Sequence, residues 1–487
     1  MGDNLLLSWC PELDAVTLAS VVEFQSPPSL MVMEVPGAVL QPVARLFNIH
    51  ILEIVKVDMS SIDPSVIVGC MRSLEDLTLK DTQLNIQQVD AILKGLETTR
   101  TLRSLDLSQN DLSKVESNLL ARSVIKLESV AVSKSSPTKD QLITLCSTIR
   151  EEGEKLRSLD LSDNQLSLVD PYLLASAVNR LEEVRLGDRC LTHQKAKAFF
   201  HALEQGTSLK SLDMTFNNLF SVNPELLVKK VSHLEELILC GCSLTSQQAT
   251  VLCMALDEER THLRSINLSG NDLSSVEPVL LANATTRLQE VKLYGASLST
   301  TQLTELCTAM SKSSRLKVLD VSCNNLSTMN CVLLASAAGL LEEVRLGWCS
   351  LTFQHITAIC SSIENDSTLK NLDLSCNKLT SVPPELLAKA MSRLESVNLE
   401  CSSLTSQQVA ALQSSLRKSQ KLRMLNLTGN EEAHVDNPDY VIITDSVGRN
   451  QLIIHPNQEQ SENSKNSWPQ MCIKEIMTTI STRSSIR

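Results

Sequence analysis

The residues best able to do chemistry are fifteen cysteines and eight histidines, and their spacing fits no known kind of reactive site. Cys240 and Cys242 form a CxC pair rather than the CxxC of a zinc site, so we interpret them as strand-end thiols. No GxxxxGK(S/T) phosphate loop, HExxH, GxSxG or kinase signature occurs in the sequence. We therefore expect no catalytic residue, no metal and no cofactor.

Three cysteines instead recur at one position of a repeated segment, in TVLCMAL, TELCTAM and TAICSSI (Cys253, Cys307 and Cys360). A free cysteine packs like a small apolar residue, and an odd total without short-spaced pairs is unlike a disulfide framework. We predict reduced core thiols and a cytoplasmic protein. The N-terminal MGDNLLLSWCPELD lacks a signal-peptide pattern, and no apolar run approaches the length of a membrane span.

The composition favours an aliphatic core and an acidic surface. Hydrophobic residues make up 43% of the chain but aromatic residues only 3%, and the net charge is −12 with a pI near 5.3. A nucleic-acid-binding protein usually has a basic face, so no nucleic-acid partner is expected. The charge suits a basic protein partner.

The elements that position these residues follow from a repeat of 53 or 54 residues. A first type of half-repeat reads LxxLxLxxN and places its Asn at Asn110, Asn164, Asn217, Asn271, Asn324, Asn377 and Asn430. A second type alternates with it, and its residues at the Asn position are Thr82, Ser135, Arg189, Cys242, Ala296, Cys349 and Ser402. About fifteen units are recognisable across residues 49–430.

The repeat predicts an α/β leucine-rich-repeat solenoid, a horseshoe with a parallel concave β-sheet and outer helices. LxL is a short strand with its leucines inward, the Asn bonds the backbone where the chain turns, and a helix then leads to the next unit. In PELLAKAMSRL a Pro starts the helix, and in TSQQATVLCMAL a Ser or Thr caps it. Residues 1–48 are expected to form an irregular N-terminal cap, 431–455 a C-terminal cap, and 456–487 a disordered tail.

The two alternating half-repeats, one with LxLxxN and one with Cys or Thr at the Asn position, resemble the ribonuclease-inhibitor type of leucine-rich repeat. That family includes ribonuclease inhibitor and the C-terminal sensor arrays of NOD-like innate immune receptors. The resemblance implies a non-catalytic protein-binding module of innate immunity, here without a nucleotide-binding domain. Because fold does not fix function, two alternatives stay open: an inhibitor of a basic enzyme such as a ribonuclease, and a regulator of a small GTPase.

Charged residues follow a regular pattern when the first Leu of each unit is counted as position 1. Position 5, on the concave face, is Asp or Asn in first-type units, and the basic residues Arg185, Lys292 and Arg345 between them should relieve the repulsion. Position 2 alternates between Arg or Lys in first-type units and Glu or Gln in second-type units. We interpret that alternation as structural, because opposite charges on neighbouring strands attract.

The candidate partner-binding surface is a set of residues on and just after the strands. Tyr294 and Trp348 stand out, because Tyr, Trp and Arg dominate binding hot spots. Both are expected to be exposed after their LxL, with packing onto neighbouring strands as the alternative interpretation. The predicted surface consists of Arg185, Phe216, Ile238, Lys292, Tyr294, Arg345 and Trp348.

Overall fold

The computed structural model describes most of the repeat array and short parts of both ends. Residues described are 5–8, 29–33, 49–203, 208–257, 261–312, 315–364, 367–416, 419, 421–430, 440–444 and 450–454. The chain divides into two compact units, residues 1–238 and residues 239–487. The predicted disordered tail lies outside the described residues.

The first unit alternates strands with helices. Its strands are β1 (Leu5–Ser8), β2 (Ser29–Met33), β3 (Ile51–Val55), β4 (Asp76–Lys80), β5 (Ser104–Asp106), β6 (Ser129–Ala131), β7 (Ser158–Asp160), β8 (Glu183–Arg185), β9 (Ser211–Asp213) and β10 (Glu236–Ile238). Its helices are α1 (Pro64–Cys70), α2 (Ile86–Gly95), α3 (Ser117–Val124), α4 (Lys139–Glu152), α5 (Pro171–Val178), α6 (His193–Ala202) and α7 (Pro224–Val231). Each strand pairs in parallel with the next, from β1 to β10.

The second unit continues the same alternation. Its strands are β11 (Ser265–Asn267), β12 (Glu290–Lys292), β13 (Val318–Asp320), β14 (Glu343–Arg345), β15 (Asn371–Asp373), β16 (Ser396–Asn398), β17 (Met424–Asn426), β18 (Tyr440–Thr444) and β19 (Asn450–Ile454). Its helices are α8 (Ser246–Asp257), α9 (Pro278–Thr286), α10 (Thr300–Lys312), α11 (Cys331–Gly339), α12 (Phe353–Glu364), α13 (Pro384–Met391) and α14 (Ser406–Leu416). Strands β11 to β17 are parallel.

The predicted leucine-rich-repeat solenoid is confirmed in each unit. The repeat leucines are buried, as Leu105 and Leu107 illustrate, and the residues between them point away from the core. The fifteen strands β3 to β17 correspond to the fifteen units predicted from the sequence. A single repeat has no second layer on which to bury its leucines, so stacking of neighbouring repeats supplies the core.

The two ends of the array contain further strands. β1 and β2 lie in the segment predicted as an irregular cap and are parallel to the array, so the sheet extends into that segment. At the other end β18 runs antiparallel to β17, and β19 antiparallel to β18. These two strands lie in the segment predicted as the C-terminal cap.

The seven Asn residues that recur in first-type units form a buried ladder that links consecutive repeats, as the sequence predicts. Asn324 is representative: its amide nitrogen donates to the carbonyls of Leu293, Val321 and Ser322 at 2.8–3.2 Å. Its amide oxygen accepts a 3.0 Å hydrogen bond from the backbone N–H of Leu298. One side chain thus satisfies backbone groups of two repeats where the chain leaves the strand.

A second buried ladder was missed in the sequence. At position 15 of second-type units a Gln donates to two carbonyls of the preceding repeat; Gln302, for example, reaches Leu273 and Val276 at 2.8 and 2.7 Å. In two units another donor replaces Gln: His355 contacts the Met329 carbonyl at 3.0 Å, and Lys195 donates to the Val169 carbonyl at 3.1 Å. Alignment of the second-type units at position 15 would have revealed the recurring Gln.

The helix starts follow the predicted chemistry. Pro occupies the first turn of several first-type helices, including α5 and α13. In second-type helices a Thr, Ser or Asn caps the first turn, and in α4 Thr138 and Gln141 complete a reciprocal capping box. These caps satisfy N–H groups that would otherwise lack partners.

One sequence assignment was wrong: Arg189 does not take the Asn position of its unit. Arg189 is exposed, and Cys190 is buried there instead, with its thiol donating to the carbonyls of Gly187 and Leu161 at 2.7 and 3.5 Å. Asp188 and Arg189 both adopt positive φ, which shifts the turn by one residue. An arginine cannot be buried unpaired in an aliphatic core, so the chain turns to present the thiol.

The predicted core position of the recurring cysteines is confirmed. Cys253, Cys307 and Cys360 are all buried, and burial raises the pKa of each thiol to about 12. Within the described part of the chain the cysteines form no disulfide.

Candidate functional site

Three positions in each repeat place side chains on the side of the strands opposite the core, although position 7 is buried in several repeats, as Ser108 is. These are positions 3, 5 and 7, which we call the sheet face; the leucines at positions 4 and 6 point into the core. The parallel register places equivalent positions of adjacent repeats directly beside each other. Side chains on the sheet face therefore form rows across each unit.

Two of the predicted basic residues lie in register between aspartates of the acidic row at position 5. In the first unit Arg185 lies between Asp160 and Asp213 in register, and in the second Arg345 lies between Asp320 and Asp373. Burial raises the pKa of Asp213 and Asp320, and the neighbouring arginines partly oppose that rise. Only part of the row has a basic neighbour, since Asp106 lies in register beside Thr78 and Ala131.

The carboxylates of this row also have a backbone role that the sequence did not reveal. Each accepts a hydrogen bond from the N–H two residues later, as Asp106 does from Ser108 at 2.7 Å and Asp373 from Ser375 at 2.8 Å. Asn267 makes the same bond to Ser269 at 3.0 Å without a charge. Asp and Asn both provide this local bond, which accounts for their alternation at position 5.

The charge alternation at position 2 forms ion pairs between repeats, as predicted. Glu342 is bridged by Lys317 at 2.9 Å and Lys370 at 2.7 Å, and the two lysines lower the pKa of Glu342 to about 2. In the first unit Glu182 is bridged in the same way by Arg157 and Lys210. Position 2 therefore contributes to repeat stacking and lies outside the candidate site.

Three of the predicted surface residues lie in the first unit. Arg185 is exposed at the end of β8, and Ile238 is half-buried at the end of β10. Phe216 is half-buried and follows β9 at position 8 with a φ of +56°, so it lies beyond the alternation of the strand. Arg185 and Ile238 are on the sheet face, whereas Phe216 is on the turn above it.

The other four lie in the second unit, where the two cations are paired locally. Lys292 contacts Glu290 at 2.7 Å, and Arg345 contacts Glu343 at 2.7 Å on its own strand. Arg345 remains exposed, so its guanidinium is available on the sheet face.

Tyr294 and Trp348 are close to the strands but are not at equivalent positions. Tyr294 is at position 7, half-buried, and its side chain hydrogen-bonds the Cys323 thiol of the next repeat. Trp348 is at position 8, follows β14 with a φ of +55°, and keeps 55% of its surface exposed. The exposure predicted for Trp348 is confirmed, whereas Tyr294 partly packs against its neighbour, as the alternative interpretation held.

Position 8 forms a second, partly exposed row in each unit, and sequence analysis missed it. Its residues adopt positive φ in every repeat from β3 to β17, and we call this row the left-handed column. Its members are Lys56, Asp81, Gln109, Lys134, Asp163, Asp188, Phe216, Gly241, Gly270, Gly295, Cys323, Trp348, Cys376, Cys401 and Gly429. The four glycines hint at this conformation in the sequence, because glycine adopts it without a steric cost, and the three aspartates do so more weakly.

Carboxylates outnumber cations on the sheet face of each unit. In the first unit, Lys80 and Arg185 are accompanied by Glu53, Asp76, Asp106, Asp160, Glu183, Asp213 and Glu236. In the second unit, Lys292 and Arg345 are accompanied by Glu290, Asp320, Glu343, Asp373 and Glu400. Burial and the charge of Asp373 raise the pKa of Glu400. Such a face attracts positively charged groups.

Two features are absent from the described residues. No group of three or more His, Cys, Asp or Glu there is arranged to hold a metal ion. Among the same residues, no helix has the length and apolar character needed to cross a membrane.

Comparison with known proteins agrees with this architecture. Models described as Leucine Rich Repeat match residues 155–177, 262–284 and 368–390, and a further Leucine Rich repeat model matches 99–115. The protein named ribonuclease inhibitor from Sus scrofa is 28% identical over 324 residues, covering 62% of this chain and 71% of that protein. Its Mus musculus counterpart is 27% identical over 335 residues, covering 63% and 73%.

A second group of relatives is much longer than the matched region. NACHT, LRR and PYD domains-containing protein 13 from Homo sapiens is 28% identical over 348 residues, which is 66% of this chain but 32% of that protein. The match thus covers about a third of that relative. With its two alternating half-repeats and parallel strand–helix units, this chain has a leucine-rich-repeat fold, and its array is similar to ribonuclease inhibitor and to the arrays of the NACHT, LRR and PYD proteins.

Proposed function

We propose that the chain is a non-catalytic cytoplasmic module that binds a basic protein through the sheet face and left-handed column of its second unit. The observation that carries the proposal is the exposed Trp348 beside a face where carboxylates exceed cations. Trp is enriched among the residues that dominate binding energy at interfaces, and an acidic face attracts a basic partner. The similarity to NACHT, LRR and PYD proteins favours a sensor or regulator of innate immunity.

The local geometry supports Trp348 as the anchor and Tyr294 as its support. Trp348 lies on the turn that directly follows strand β14, and β14 is fixed by its parallel pairing with β13. The backbone at Trp348 therefore needs little ordering when a partner binds. Tyr294 is held by its bond to Cys323. Arg345 is exposed but paired with Glu343, so we expect it to contribute to orientation more than to affinity.

The second candidate function is inhibition of a basic enzyme such as a ribonuclease. The acidic sheet faces and the similarity to proteins named ribonuclease inhibitor favour it. A ribonuclease assay with increasing amounts of the full chain tests it. Loss of activity near one equivalent supports inhibition, and full activity at a tenfold excess rules it out for that enzyme.

The partner-binding proposal is tested by capture from cell lysate under reducing conditions, followed by affinity measurement with the purified partner. The face variant is Tyr294→Ala/Trp348→Ala. The matched control is Val332→Ala/Phe353→Ala, which removes two exposed apolar side chains from helices α11 and α12 of the same unit. Circular dichroism confirms that both variants are folded.

We expect the face variant to bind the partner at least about 30-fold more weakly, since a hot-spot truncation costs about 2 kcal/mol or more. The control should bind like wild type, and affinity should fall as salt rises because the face is acidic. Equal binding by wild type and the face variant, with loss in the helix variant, would place the site on the helices and refute the proposal.

A further inference from the structure

The left-handed column of the second unit brings two thiols side by side. Asp373 on β15 and Asn398 on β16 are partners in the parallel register. Cys376 lies three residues after Asp373, and Cys401 lies three residues after Asn398. Both adopt positive φ, at +56° and +50°. Parallel backbones lie about 4.8 Å apart, which falls within the roughly 4.4–6.8 Å between Cα atoms that a disulfide spans.

The contacts of the two side chains show that the thiols meet. The side chains of Cys376 and Cys401 are hydrogen-bonded to each other across the two repeats. In the next repeat the column residue is Gly429, where a Cβ atom would overlap the Cys401 sulfur. Gly429 has a φ of +73°, so glycine suits both the backbone and the space that the thiol occupies.

Access distinguishes this pair from the core cysteines. Cys401 is exposed and Cys376 is half-buried, whereas Cys253, Cys307 and Cys360 are buried. A reagent in solution can therefore reach Cys401 without opening the repeat.

We propose that Cys376 and Cys401 form a thiol-modification site that reacts with a low-molecular-weight disulfide and closes to a disulfide between adjacent repeats. In the first step the Cys401 thiol loses its proton to solvent, and its sulfur attacks the reagent, forming a mixed disulfide and releasing one thiol. In the second step the deprotonated Cys376 sulfur attacks the Cys401 sulfur and releases the second thiol. The two protein thiols are oxidised, and one reagent disulfide is reduced to two thiols.

The order of the two steps follows from exposure and charge. The pKa of the Cys376 thiol is raised to about 12, mainly by burial and to a smaller extent by the charge of Cys401. The mixed disulfide removes the Cys401 charge, which makes Cys376 easier to deprotonate, but the burial remains. The second step is therefore expected to be the slower one.

The site lies beside the proposed partner surface but does not depend on it. Trp348 follows Arg345 by three residues, and Arg345 is the register partner of Asp373, so Trp348 and Cys376 are neighbours in the left-handed column. The inference therefore survives if no partner is found.

The test uses the full chain, reduced and then incubated with oxidised glutathione, quenched with iodoacetamide and mapped by mass spectrometry. We expect a Cys376–Cys401 disulfide in wild type with unchanged circular dichroism. Cys376→Ser should instead keep a stable glutathione adduct on Cys401, because the second thiol is missing. Cys401→Ser should leave Cys376 largely unmodified, and the control Cys331→Ser should behave like wild type.

Three results would overturn the proposal. These are absence of the disulfide in wild type, a glutathione adduct that persists on wild-type Cys401, and a disulfide that forms only together with loss of helical signal. Because Cys376→Ser and Cys401→Ser change one atom each, both variants are expected to fold, and their circular dichroism verifies this.

Discussion

The carboxylate of Asp320 accepts a 2.9 Å hydrogen bond from the backbone N–H of Ser322 and, in the same protein, Asn267 makes that bond to Ser269. Asp320 is buried, and burial raises the pKa of its carboxyl group. Because the pKa of Asp320 is higher in the folded state than in the unfolded state, its ionisation destabilises the fold. This loss of stability is complete at a pH above the folded pKa and absent at a pH below the ordinary pKa.

Replacement of this side chain should separate the hydrogen bond from the charge. We expect Asp320→Asn to match or exceed wild-type stability, because the acceptor stays and the buried charge goes. Asp320→Ala should lose about 1–3 kcal/mol, since it leaves a buried N–H unsatisfied. Urea unfolding at pH 7 measures both. Asp272→Ala, which removes the same type of bond to Ser274 from an exposed residue, is the control and should cost less than about 1 kcal/mol. Equal losses for Asp320→Asn and Asp320→Ala would contradict this account.

His355 is expected to be exchangeable for glutamine. Its ring contacts the Met329 carbonyl at 3.0 Å and the Thr352 hydroxyl at the helix start. Gln302 and Gln408 likewise hydrogen-bond a carbonyl of the preceding repeat. His355→Gln should therefore change the thermal midpoint little. His355→Ala should lower stability by about 2 kcal/mol or more, because the Met329 carbonyl loses its donor and a cavity remains. A large loss with His355→Gln would show that the ring itself is required.

The shifted turn at β8 predicts unequal roles for two consecutive residues. Cys190→Ala should destabilise the first unit by about 1–2 kcal/mol, because it removes buried sulfur and its contact with the Gly187 carbonyl. Arg189→Ala should stay within about 0.5 kcal/mol, since Arg189 is exposed. Thermal unfolding of the two variants is the measurement. A larger loss of stability with Arg189→Ala than with Cys190→Ala would indicate that Arg189, not Cys190, takes the Asn position of this unit.

The bridged Glu342 predicts a pH dependence of stability. Its pKa falls from an ordinary 4.5 to about 2 because Lys370 and Lys317 bond its carboxylate. A lowered folded pKa stabilises the protein above the ordinary pKa, and that contribution disappears as the pH falls from 4.5 towards 2. Glu342→Gln should therefore be less stable than wild type by a constant amount above about pH 5.5, with the gap closing towards pH 2.

Urea midpoints measured between pH 2 and pH 7 test this expectation. Glu385→Gln, on helix α13 and away from the bridge, serves as the control. A gap between wild type and Glu342→Gln that stays the same at pH 3 and pH 7 would show that the bridge does not stabilise the fold through its charge.

Much of the fold could be predicted because the same pattern of leucines and asparagines recurs along the sequence at a regular spacing. LxL and the Asn three residues after it specify a strand and its exit, and repetition forces the strands to stack in parallel. The ion pairs at position 2 also follow from sequence, because the parallel register brings equivalent positions together.

The candidate site was less predictable because its features depend on backbone conformation. The sequence identifies Tyr294 and Trp348 as unusual residues, but only the φ angle after each strand separates the sheet face from the left-handed column. The same holds for Arg189 and Cys190, where the cost of burying a guanidinium moved the turn by one residue.

The sequence by itself therefore determined the repeat, its strands and helices, its aliphatic core and its acidic charge. Tertiary structure alone decided which side chains meet: Tyr294 with Cys323, and Cys376 with Cys401. The reason is physical. Periodic burial is a local property that each repeat encodes, whereas contacts between side chains of different repeats depend on register, turn geometry and the space left by neighbours such as Gly429.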